Sequence, residues 1–531
     1  MHATPPAPRE IELRLALAPE NIGRLRGHPL IRALSQGRAV TRRLRSVYFD
    51  TADCALARAG IALRTRESGG SVIQTVKLEN REHAGLNDRI EYENAVSSNQ
   101  PAIELIPDAD VRAQIARASN GKSLEPIFET DFQRTERLLR EDHTELLFDL
   151  DVGEIRTAAG NLSLCELELE LKRGDAGYLY QLALELQEEI DLRLLLQSKA
   201  ERGYARVAGT TPVARKTGRL HFAPEALLNE VVHGVLSHCV NHIFANQEPA
   251  FRGRNAEGLH QLRVGARRLR GALNLFRPIL PKWQIDPLHS KLKWLAQELG
   301  TARDSDVFLE ELLEPALRHS ASGRTLAHLR TQALALREEY YLRVRDALHS
   351  KEYARLQLEL GRWLARREWE QQPLSENSAR LFMPASSFAG RELTRLHRKV
   401  RRSGRKLKTR SAAEKHALRI QIKRLRYAGE FFRSLYSDKE AERYLKRLEK
   451  LQDVLGHLND GAVAEAFTER CLAHAASAAE PERAYVASPA EPECNRAAGF
   501  VTGWCTHLAY ASEQHLRKLW KQFKKSDAFW N

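Results

Sequence analysis

The sequence predicts an α+β chain in which an antiparallel β domain is followed by an all-α domain. Residues 9–207 contain many short stretches of alternating polar and apolar residues, with Gly, Asn and Asp between them, as in antiparallel strands joined by turns. From about residue 220, the apolar positions recur with the period of a helix. Residues 208–219 follow neither period and contain Gly, Pro and Thr, which predicts a linker.

The two parts also differ in charge. Residues 1–210 hold 28 Lys and Arg against 33 Asp and Glu, a net charge of −5. The remainder holds 55 basic against 36 acidic residues, a net charge of +19, which brings the whole 531-residue chain to +14. A basic excess of this size predicts a polyanionic partner for the helical part, although charge alone does not identify it.

An internal duplication organises the helical part. The segment from His260 to Arg270 matches the segment from His416 to Arg426 at an offset of 156 residues. Downstream, Leu299, Gly300 and Asp304 match Leu455, Gly456 and Asp460 at the same offset. We therefore predict a β domain at 8–207 and a helical domain at 220–525, the latter made of two similar bundles at about 225–370 and 389–525 that pack as a pseudo-twofold pair.

Each copy of the repeat predicts one basic helix face. Positions 0, +3, +7 and +10 of an α-helix lie within roughly 80° of one another. The residues at these positions are His260, Arg263, Arg267 and Arg270 in the first copy, and His416, Arg419, Lys423 and Arg426 in the second. Like charges at these spacings repel one another and destabilise a helix, yet both copies of the repeat carry them. This predicts an anion-binding surface rather than an ordinary solvated face.

The β part shows rows of charge on single strand faces. Glu10, Glu12 and Arg14 share a face, as do Glu166, Glu168 and Glu170. One such row is ordinary on a surface strand, but several rows of repelling charges need compensation. A closed antiparallel barrel with the charged faces turned inward around a cavity meets that need. Carboxylates there would bind Mg²⁺ or Mn²⁺, and Arg and Lys would bind phosphoryl oxygens.

These residues resemble the signatures of two known domain families. Glu10-Ile-Glu12-Leu-Arg14 resembles the Glu-x-Glu-x-Lys motif that opens the CYTH domain, the triphosphate tunnel metalloenzyme superfamily. Further matches follow in family order: Tyr48-Phe-Asp-Thr51, Leu63-Arg64-Thr65-Arg66, Thr75-Val-Lys77, Arg89-Ile-Glu91, Thr130-Asp-Phe-Gln-Arg134, Asp151-Val-Gly-Glu154, Cys165 to Leu171, and Ser198-Lys199 to Tyr204. The helical repeats resemble the CHAD domain, and the order CYTH–CHAD is that of bacterial inorganic triphosphatases.

The resemblance implies an eight-stranded antiparallel tunnel barrel that hydrolyses inorganic triphosphate to pyrophosphate and phosphate with Mg²⁺ or Mn²⁺. It implies phosphate-binding or catalytic roles for Arg64, Arg66, Lys77, Arg89, Arg134 and Lys199, with Arg14 and Arg202 as helpers. It implies metal ligands among Glu10, Glu12, Asp151, Glu166, Glu168 and Glu170. For the helical domain it implies binding of long-chain inorganic polyphosphate without catalysis, through the eight residues of the two basic faces.

One residue departs from the family pattern. Position 14 is Arg where the signature has Lys, and an arginine does not serve as a titratable base. If that Lys helps to activate water in relatives, we expect the change to affect the rate or the selectivity more than binding.

Three alternative functions stay open at this stage. The chain could bind polyphosphate without catalysis, or hydrolyse an organic triphosphate such as thiamine triphosphate or ATP. Nucleic acid is less favoured, because only Tyr427 stands beside the basic faces to stack on a base. The basic segment from Arg395 to Arg410 is either an extension of the binding surface or a solvated helix.

The remaining sequence features concern location. No run of about 18 apolar residues occurs, and the first ten residues lack the apolar core of a secretory signal. The six cysteines form no Cys-x-x-Cys pair, which is typical of free thiols. We expect a cytoplasmic protein without membrane contact, and we leave open its association with polyphosphate granules.

Overall fold

Nine strands form one antiparallel sheet in the computed structural model, which describes residues 9–68, 70–78, 84–252, 256–319, 323–478 and 490–530. The strands are β1 (Arg9–Leu17), β2 (Ser35–Asp50), β3 (Ile61–Ser68), β4 (Ser71–Leu78), β5 (Leu86–Val96), β6 (Glu125–Glu141), β7 (Thr144–Arg156), β8 (Leu162–Arg173) and β9 (Leu192–Leu194). Their order is β5-β4-β3-β2-β6-β7-β8-β1-β9, and β1 also pairs with β5, which closes the first eight into a barrel. The predicted eight-stranded antiparallel barrel is confirmed.

Both faces of the barrel strands are buried, for different reasons. In β8, Leu167 and Leu169 are fully buried on the outer face, whereas Glu168 and Glu170 line a cavity inside the barrel. The two-residue period of a strand therefore separates an apolar layer that packs under helices from a charged layer that points inward.

Six helices of the first part surround this barrel: α1 (Ile22–Gly27), α2 (Pro29–Leu34), α3 (Ala55–Arg58), α4 (Ala109–Ser119), α5 (Ala176–Gln187) and α6 (Lys199–Val207). Val111 and Ile115 of α4 pack into a core with Leu63 of β3. The Asp50 carboxylate at the end of β2 accepts hydrogen bonds from the backbone N–H groups of Leu56 and Ala57, both at 2.8 Å, and so holds the start of α3.

Helices dominate the described residues after Val213. They are α7 (Leu228–Ala245), α8 (Gln247–Arg252), α9 (Ala256–Phe276), α10 (Lys282–Val307), α11 (Glu314–His319), α12 (Gly323–His349), α13 (Lys351–Ala365), α14 (Glu376–Ala379), α15 (Ala385–Ser403), α16 (Ala412–Phe432), α17 (Asp438–Ala478) and α18 (Ala490–Lys524). A π-helical turn at Phe308–Leu313 joins α10 to α11. None of the helices within the described ranges combines the length and the apolarity needed to cross a lipid bilayer.

The chain divides into two compact units, and helix α13 belongs to the first. The first unit is Met1–Val213 with Ser350–Glu368, and the second is Ala214–His349 with Trp369–Asn531. Gly361 of α13 lies directly against the ring of Tyr180 on α5. Arg366 Nε donates to Asp175 Oδ2 at 2.6 Å at the same contact. The predicted helical domain at 220–525 does not anticipate this placement, because helical periodicity shows that a helix forms but not which neighbour it packs on.

The related helices of the repeat have matching bounds. Both ends of α16 lie 156 residues after the corresponding ends of α9, and α17 begins 156 residues after α10. α9 and α16 contact each other, with the rings of Phe276 and Phe432 6.1 Å apart between centroids. The full repeat ranges stay a prediction, because α13 of the first range packs within the barrel unit.

The contact between Gly361 and Tyr180 can be tested by adding one methyl group. A Cβ at Gly361 would overlap the buried Tyr180 ring, so we expect Gly361→Ala to lower the free energy of unfolding by about 1–3 kcal/mol. At Gly23 of α1 no atom lies within 4 Å of the added Cβ, so Gly23→Ala should leave stability unchanged or raise it slightly. Urea unfolding followed by circular dichroism measures both, and equal effects of the two substitutions would contradict the α13 packing.

Candidate functional site: a charged barrel cavity and a basic helical cluster

The interior of the barrel is a cavity of about 940 Å³ with charged walls. The predicted site residues that line it are Glu10, Arg14, Arg64, Arg66, Lys77, Arg89, Arg134, Glu168, Glu170 and Lys199. Glu12, Asp151 and Glu166 stand behind this lining and form ion pairs with lining residues, and Arg202 pairs with Glu166. The structure therefore brings the residues predicted from eight different segments to one enclosed space.

Three carboxylates of the predicted metal set converge on neighbouring strands. Asp151 of β7 pairs across the sheet with Glu166 of β8, and one oxygen from each of Asp151, Glu166 and Glu168 lies within 4.8 Å of the others. The Lys199 ammonium stands between them, with Nζ 2.8 Å from Asp151 Oδ2 and 2.7 Å from Glu168 Oε1, and it also contacts Glu166. We call Asp151, Glu166 and Glu168 the acidic triad.

Local sequence explains how Lys199 reaches the acidic triad. Ser198 and Glu201 form a capping box that starts α6, which places Lys199 in its first turn. Gly203, one turn later, lies against the ring of Phe128 on β6, and Tyr204 packs edge-on against that ring with centroids 5.0 Å apart. Close packing of α6 on the barrel therefore fixes the lysine at the carboxylates.

Arg134 is the second cation of this region. Its Nη1 donates to Asp149 Oδ2 and its Nη2 to Asp151 Oδ2, both at 2.6 Å, and it also contacts Glu168. Burial raises the pKa of Glu168, but Lys199 and Arg134 outweigh burial and hold that pKa well below its usual range.

The residues of the acidic region fit a divalent cation. Hard oxygen ligands from three or four carboxylates are the donors that Mg²⁺ and Mn²⁺ prefer. The ammonium of Lys199 already marks the point where positive charge is stabilised among the acidic triad. Asp149 Oδ1 beside it is buried and has no hydrogen-bond partner among the described residues. Burial, together with Glu168 and Asp151, raises the pKa of Asp149 to about 7 against the opposing effect of Arg134.

The other predicted carboxylates have basic partners instead. Glu10 lies 2.8 Å from Lys77 Nζ and 2.7 Å from Arg89 Nε, and Glu12 lies 2.7 Å from Arg89 Nη2. Glu170 contacts Lys172 near the end of β8. The structure gathers Asp151, Glu166 and Glu168 as one candidate metal centre, and it does not bring Glu10, Glu12 or Glu170 into that triad.

A different part of the cavity carries positive charge in excess. Arg66 on β3 donates from Nε to Ser46 Oγ at 3.2 Å and forms no ion pair within the described chain. Burial and the positive charges of Arg64 and Arg134 lower the pKa of Arg66 to about 10. Burial raises the pKa of Tyr48, yet Arg64 and Arg66 outweigh it and the net shift is downward. An anion bound at Arg64 and Arg66 would relieve this repulsion.

Arg14 has a fixed position in the cavity wall. Its Nη2 donates to Asn87 Oδ1 at 2.8 Å and to the carbonyl oxygen of Leu196 at 3.0 Å. Its side chain is 1% exposed, and its Nε lies 3.7 Å from Glu12 Oε1. The planar fork is therefore held by neutral oxygens, and the expectation that Arg at this position affects rate or selectivity more than binding stays a prediction.

The site residues predicted from the sequence leave out several residues that line the cavity. Asp149 shares a strand face with Asp151, so its two-residue spacing was the available signal. Glu91, whose carboxylate lies 2.9 Å from Lys77 Nζ, shares a face with Arg89 in the same way. Tyr48 gave no such signal, because only the fold brings its hydroxyl to 3.4 Å from Arg64 Nη1.

The second unit carries a basic cluster made by both repeats. Burial and the charges of Arg267, Arg419, Arg263 and Arg426 lower the pKa of Lys423 to about 7. Arg267 of α9 donates from Nε to Tyr427 Oη of α16 at 2.9 Å, which fixes the two helices side by side. We call Arg263, Arg267, Arg419, Lys423 and Arg426 the basic cluster. Five of the eight predicted residues thus converge on one place.

The other three predicted residues differ from the cluster. Burial, Arg303 and neighbouring arginines lower the pKa of His260 to about 4, so this histidine is neutral near pH 7. His416 is exposed on α16, and burial lowers the pKa of Arg270 near the end of α9. Arg303 of α10 was missed, although it directly precedes Asp304 of the repeated motif. The side chain of Asp460, the repeat partner of Asp304, lies outside the described residues.

Comparison with known proteins agrees with the two-unit fold. A model of the CYTH domain matches residues 8–204, and a model of the CHAD domain matches residues 234–469. The first unit therefore contains a CYTH domain, and the CYTH triphosphatases are metal-dependent enzymes. The two models together match about four-fifths of its length, so the chain contains a CYTH domain followed by a CHAD domain.

Each of the relatives described here matches only part of the chain. An inorganic triphosphatase of Haemophilus influenzae is 30% identical over 204 residues, which cover 37% of this chain and 54% of that protein. An uncharacterized protein of Mycobacterium tuberculosis is 28% identical over 341 residues, 58% of this chain and 63% of its own length. The chain thus spans less than two thirds of either curated relative. The crystal structure of the CHAD domain from the plant Ricinus communis matches with 28% identity and a TM-score of 0.50, and covers 60% of this chain and 98% of that domain.

The lowered pKa of Lys423 predicts how stability depends on pH. The unfolded chain keeps the ordinary lysine pKa of 10.5, while the folded protein releases the proton near 7, so the electrostatic penalty is full below pH 7 and shrinks as pH rises toward 10.5. Lys423→Met should therefore stabilise the protein relative to wild type below pH 7, by about 1–2 kcal/mol, with a gain that declines at alkaline pH. Lys423→Arg keeps the charge and should show no such decline. Parallel unfolding curves of wild type and Lys423→Met across this pH range would contradict the prediction.

Proposed function

We propose that the barrel unit hydrolyses inorganic triphosphate to pyrophosphate and phosphate and depends on Mg²⁺ or Mn²⁺. The observation that carries the proposal is that one cavity brings the acidic triad together with Arg64 and Arg66; among the described residues, Arg66 forms no ion pair and Arg64 lies 3.9 Å from Glu91. A linear triphosphate with a divalent cation presents both signs of charge, so it complements both regions. The 30% identity to an inorganic triphosphatase over the barrel supports the same substrate.

The chain's basic residues would grip and orient the substrate. Arg64 and Arg66 offer guanidinium forks that form paired, charge-assisted hydrogen bonds to phosphoryl oxygens. Lys77 and Arg89 hold Glu10 in the structure, and a phosphoryl oxygen could replace that carboxylate as their partner. Positioning and neutralisation of this kind account for most of the catalysis in phosphoryl transfer.

The acidic triad, with Asp149 next to it, would hold the metal ion. When bound, such an ion draws electron density from a phosphoryl oxygen and makes a water molecule more acidic. Around it, Lys199 and Arg134 would orient the carboxylates through their ion pairs. The closed barrel limits access of bulk water to these groups.

The activity test follows phosphate release by purified full-length protein from triphosphate with Mg²⁺, with Mn²⁺ and with a chelator. We expect release that needs the metal and exceeds release from ATP and thiamine triphosphate. If no phosphate is released with either metal, the protein binds its ligand without catalysis. Faster turnover of ATP or thiamine triphosphate than of inorganic triphosphate would indicate an organic substrate.

Arg66 offers the sharpest single substitution in the barrel. Its side chain is half-buried in the cavity wall and without an ion pair in the described chain, so Arg66→Gln should lower kcat/KM for triphosphate by about 100-fold while the fold is kept. Arg45→Gln is the matched control, because Arg45 on β2 is 52% exposed and pairs with Glu129 outside the cavity. Steady-state kinetics of both variants measures the effect. An equal loss of kcat/KM in both would show that Arg66 does not belong to the triphosphate site.

We also propose that the CHAD unit binds inorganic polyphosphate through the basic cluster. The cluster concentrates five cationic side chains from two helices; among the described residues, Arg426 pairs with Glu430 at 2.7 Å and Arg263 lies 4.0 Å from Asp304. Burial and the four neighbouring arginines lower the pKa of Lys423, and a bound polyanion would offset the repulsion among these cations. A base-free polyanion suits this surface, because its aromatic neighbour Tyr427 is buried and bonded to Arg267.

Binding at the basic cluster should be accompanied by proton uptake. Phosphate charge beside Lys423 would raise its pKa from about 7, so near pH 7.5 we expect the complex to take up as much as about one proton. Titration calorimetry of long-chain polyphosphate in two buffers of different ionisation enthalpy measures this uptake. Lys423→Arg should keep the affinity and lose most of the uptake, and an unchanged uptake in that variant would exclude Lys423 as the proton acceptor.

The cytoplasm, including polyphosphate granules, is the location we propose for this protein. The described cysteines Cys54, Cys165, Cys239, Cys471 and Cys505 are free thiols, which suits a reducing compartment. Fluorescence microscopy of a tagged full-length chain in cells stained for polyphosphate tests this location, and a signal confined to another compartment would contradict it.

A further inference from the structure

Helix α15 presents a stripe of arginines that neither proposed site uses. Arg391, Arg395, Arg398 and Arg402 follow one another at intervals of four, three and four residues, so they lie on one helix face. All four are exposed. With Arg405 and Lys524 they line a groove of about 1450 Å³ between α15 and the residues after α18. We call this groove the α15 groove.

The charge of the α15 groove is largely unmatched. Arg395 pairs with Glu392 at 2.7 Å. Among the described residues, Arg391, Arg398, Arg402 and Lys524 make no ion pair, and Asp527 is the acidic residue that lines the groove. A basic residue in the last helical turn stabilises the helix dipole, which explains Arg402. That effect fades within one turn, so it does not explain Arg391 or Arg398.

The fold does not require this stripe, as the corresponding helix of the first repeat shows. α7 and α15 begin side by side: the N–H of Leu228 donates to the carbonyl of Met383, and the N–H of Ala385 donates to the carbonyl of Ala226, both at 2.9 Å. This reciprocal pair marks the two helices as equivalent. Yet α7 contains no Lys or Arg over its 18 residues. The basic stripe is therefore a property of one repeat and not of the architecture.

We propose that the α15 groove is a second binding site for inorganic polyphosphate, which rests on the proposed binding of that polymer by the CHAD unit. Guanidinium groups along one helix face complement polyphosphate, because every phosphate unit of this polymer carries negative charge. Trp530, the aromatic residue of the lining, is 7% exposed and donates its indole N–H to Thr394 Oγ1 at 2.9 Å, so it offers no free face to a nucleic-acid base.

The groove and the basic cluster lie in the same bundle. α15 packs on α16, where the rings of Phe388 and Phe432 stand 6.3 Å apart, and α16 carries three residues of the cluster. A long chain that occupies the cluster can therefore extend to the groove, whereas triphosphate is too short to use both. The groove therefore favours long phosphate chains over short ones.

The test compares two triple variants of the full-length protein that remove equal charge. Arg391→Gln, Arg398→Gln and Arg402→Gln empty the stripe but keep the Arg395–Glu392 pair. Lys439→Gln, Arg443→Gln and Lys450→Gln remove three exposed cations of α17 that line neither site. We expect the stripe variant to bind long-chain polyphosphate about tenfold more weakly, with the slope of log affinity against log salt reduced by about 2. The α17 variant should change affinity less than about twofold, and triphosphate hydrolysis should be unaffected in both.

Three results would contradict either the proposed site in the α15 groove or the proposed function of the basic cluster. Equal affinities of the stripe and α17 variants for long-chain polyphosphate would overturn the groove, even if Arg263→Gln with Arg267→Gln abolishes binding and so upholds the basic cluster. A wild-type preference for single-stranded RNA over polyphosphate that the stripe variant loses would assign the groove to nucleic acid and overturn the proposal. If the cluster variant binds polyphosphate normally, the proposed function of the cluster fails, and the stripe variant then decides the groove separately.

Discussion

The enclosure of both signs of charge in one closed barrel is the constraint on which the first unit depends. Removing a charged side chain from water costs several kcal/mol unless an opposite charge and hydrogen bonds replace the lost hydration. The barrel unit meets this requirement by placing Lys199 of α6 among Asp151, Glu166 and Glu168. The outward faces of the strands carry buried leucines, which stabilise the fold. Arg66 is the exception, since it is half-buried near the positive charges of Arg64 and Arg134 and forms no ion pair among the described residues, so a bound anion would relieve this repulsion.

The helical unit treats charge differently. In the barrel, cations have carboxylate partners that a substrate could displace, so binding there exchanges one set of ion pairs for another. In the basic cluster, like charges converge from two repeats, and the protein lowers their repulsion by letting Lys423 lose its proton near neutrality. The first arrangement favours a substrate that carries its own cation. The second favours a long polyanion whose affinity varies with pH and salt.

Periodicity predicted most of the fold, and pairwise geometry accounts for what it left out. Alternation placed Glu166, Glu168 and Glu170 on one strand face, and the barrel turns that face inward as expected. The sequence could not show that Glu170 lies outside the acidic triad, because the triad depends on the pairing of Asp151 with Glu166 across two strands, and strand register is known only after pairing. Likewise, the repeat predicted eight basic residues, but burial makes His260 neutral, and a one-dimensional motif carries no record of burial.

The packing of α13 within the barrel unit has a consequence for anyone who dissects this protein. A fragment that stops at the linker would expose the surface around Tyr180 and lose the partner of Asp175, although every cavity residue would still be present. Reduced turnover by such a fragment would then reflect the loss of α13 from the barrel unit. It would not show whether the helical unit delivers polymer to the barrel. A faithful dissection needs the Lys351–Ala365 helix grafted back by a designed connection or supplied as a separate peptide.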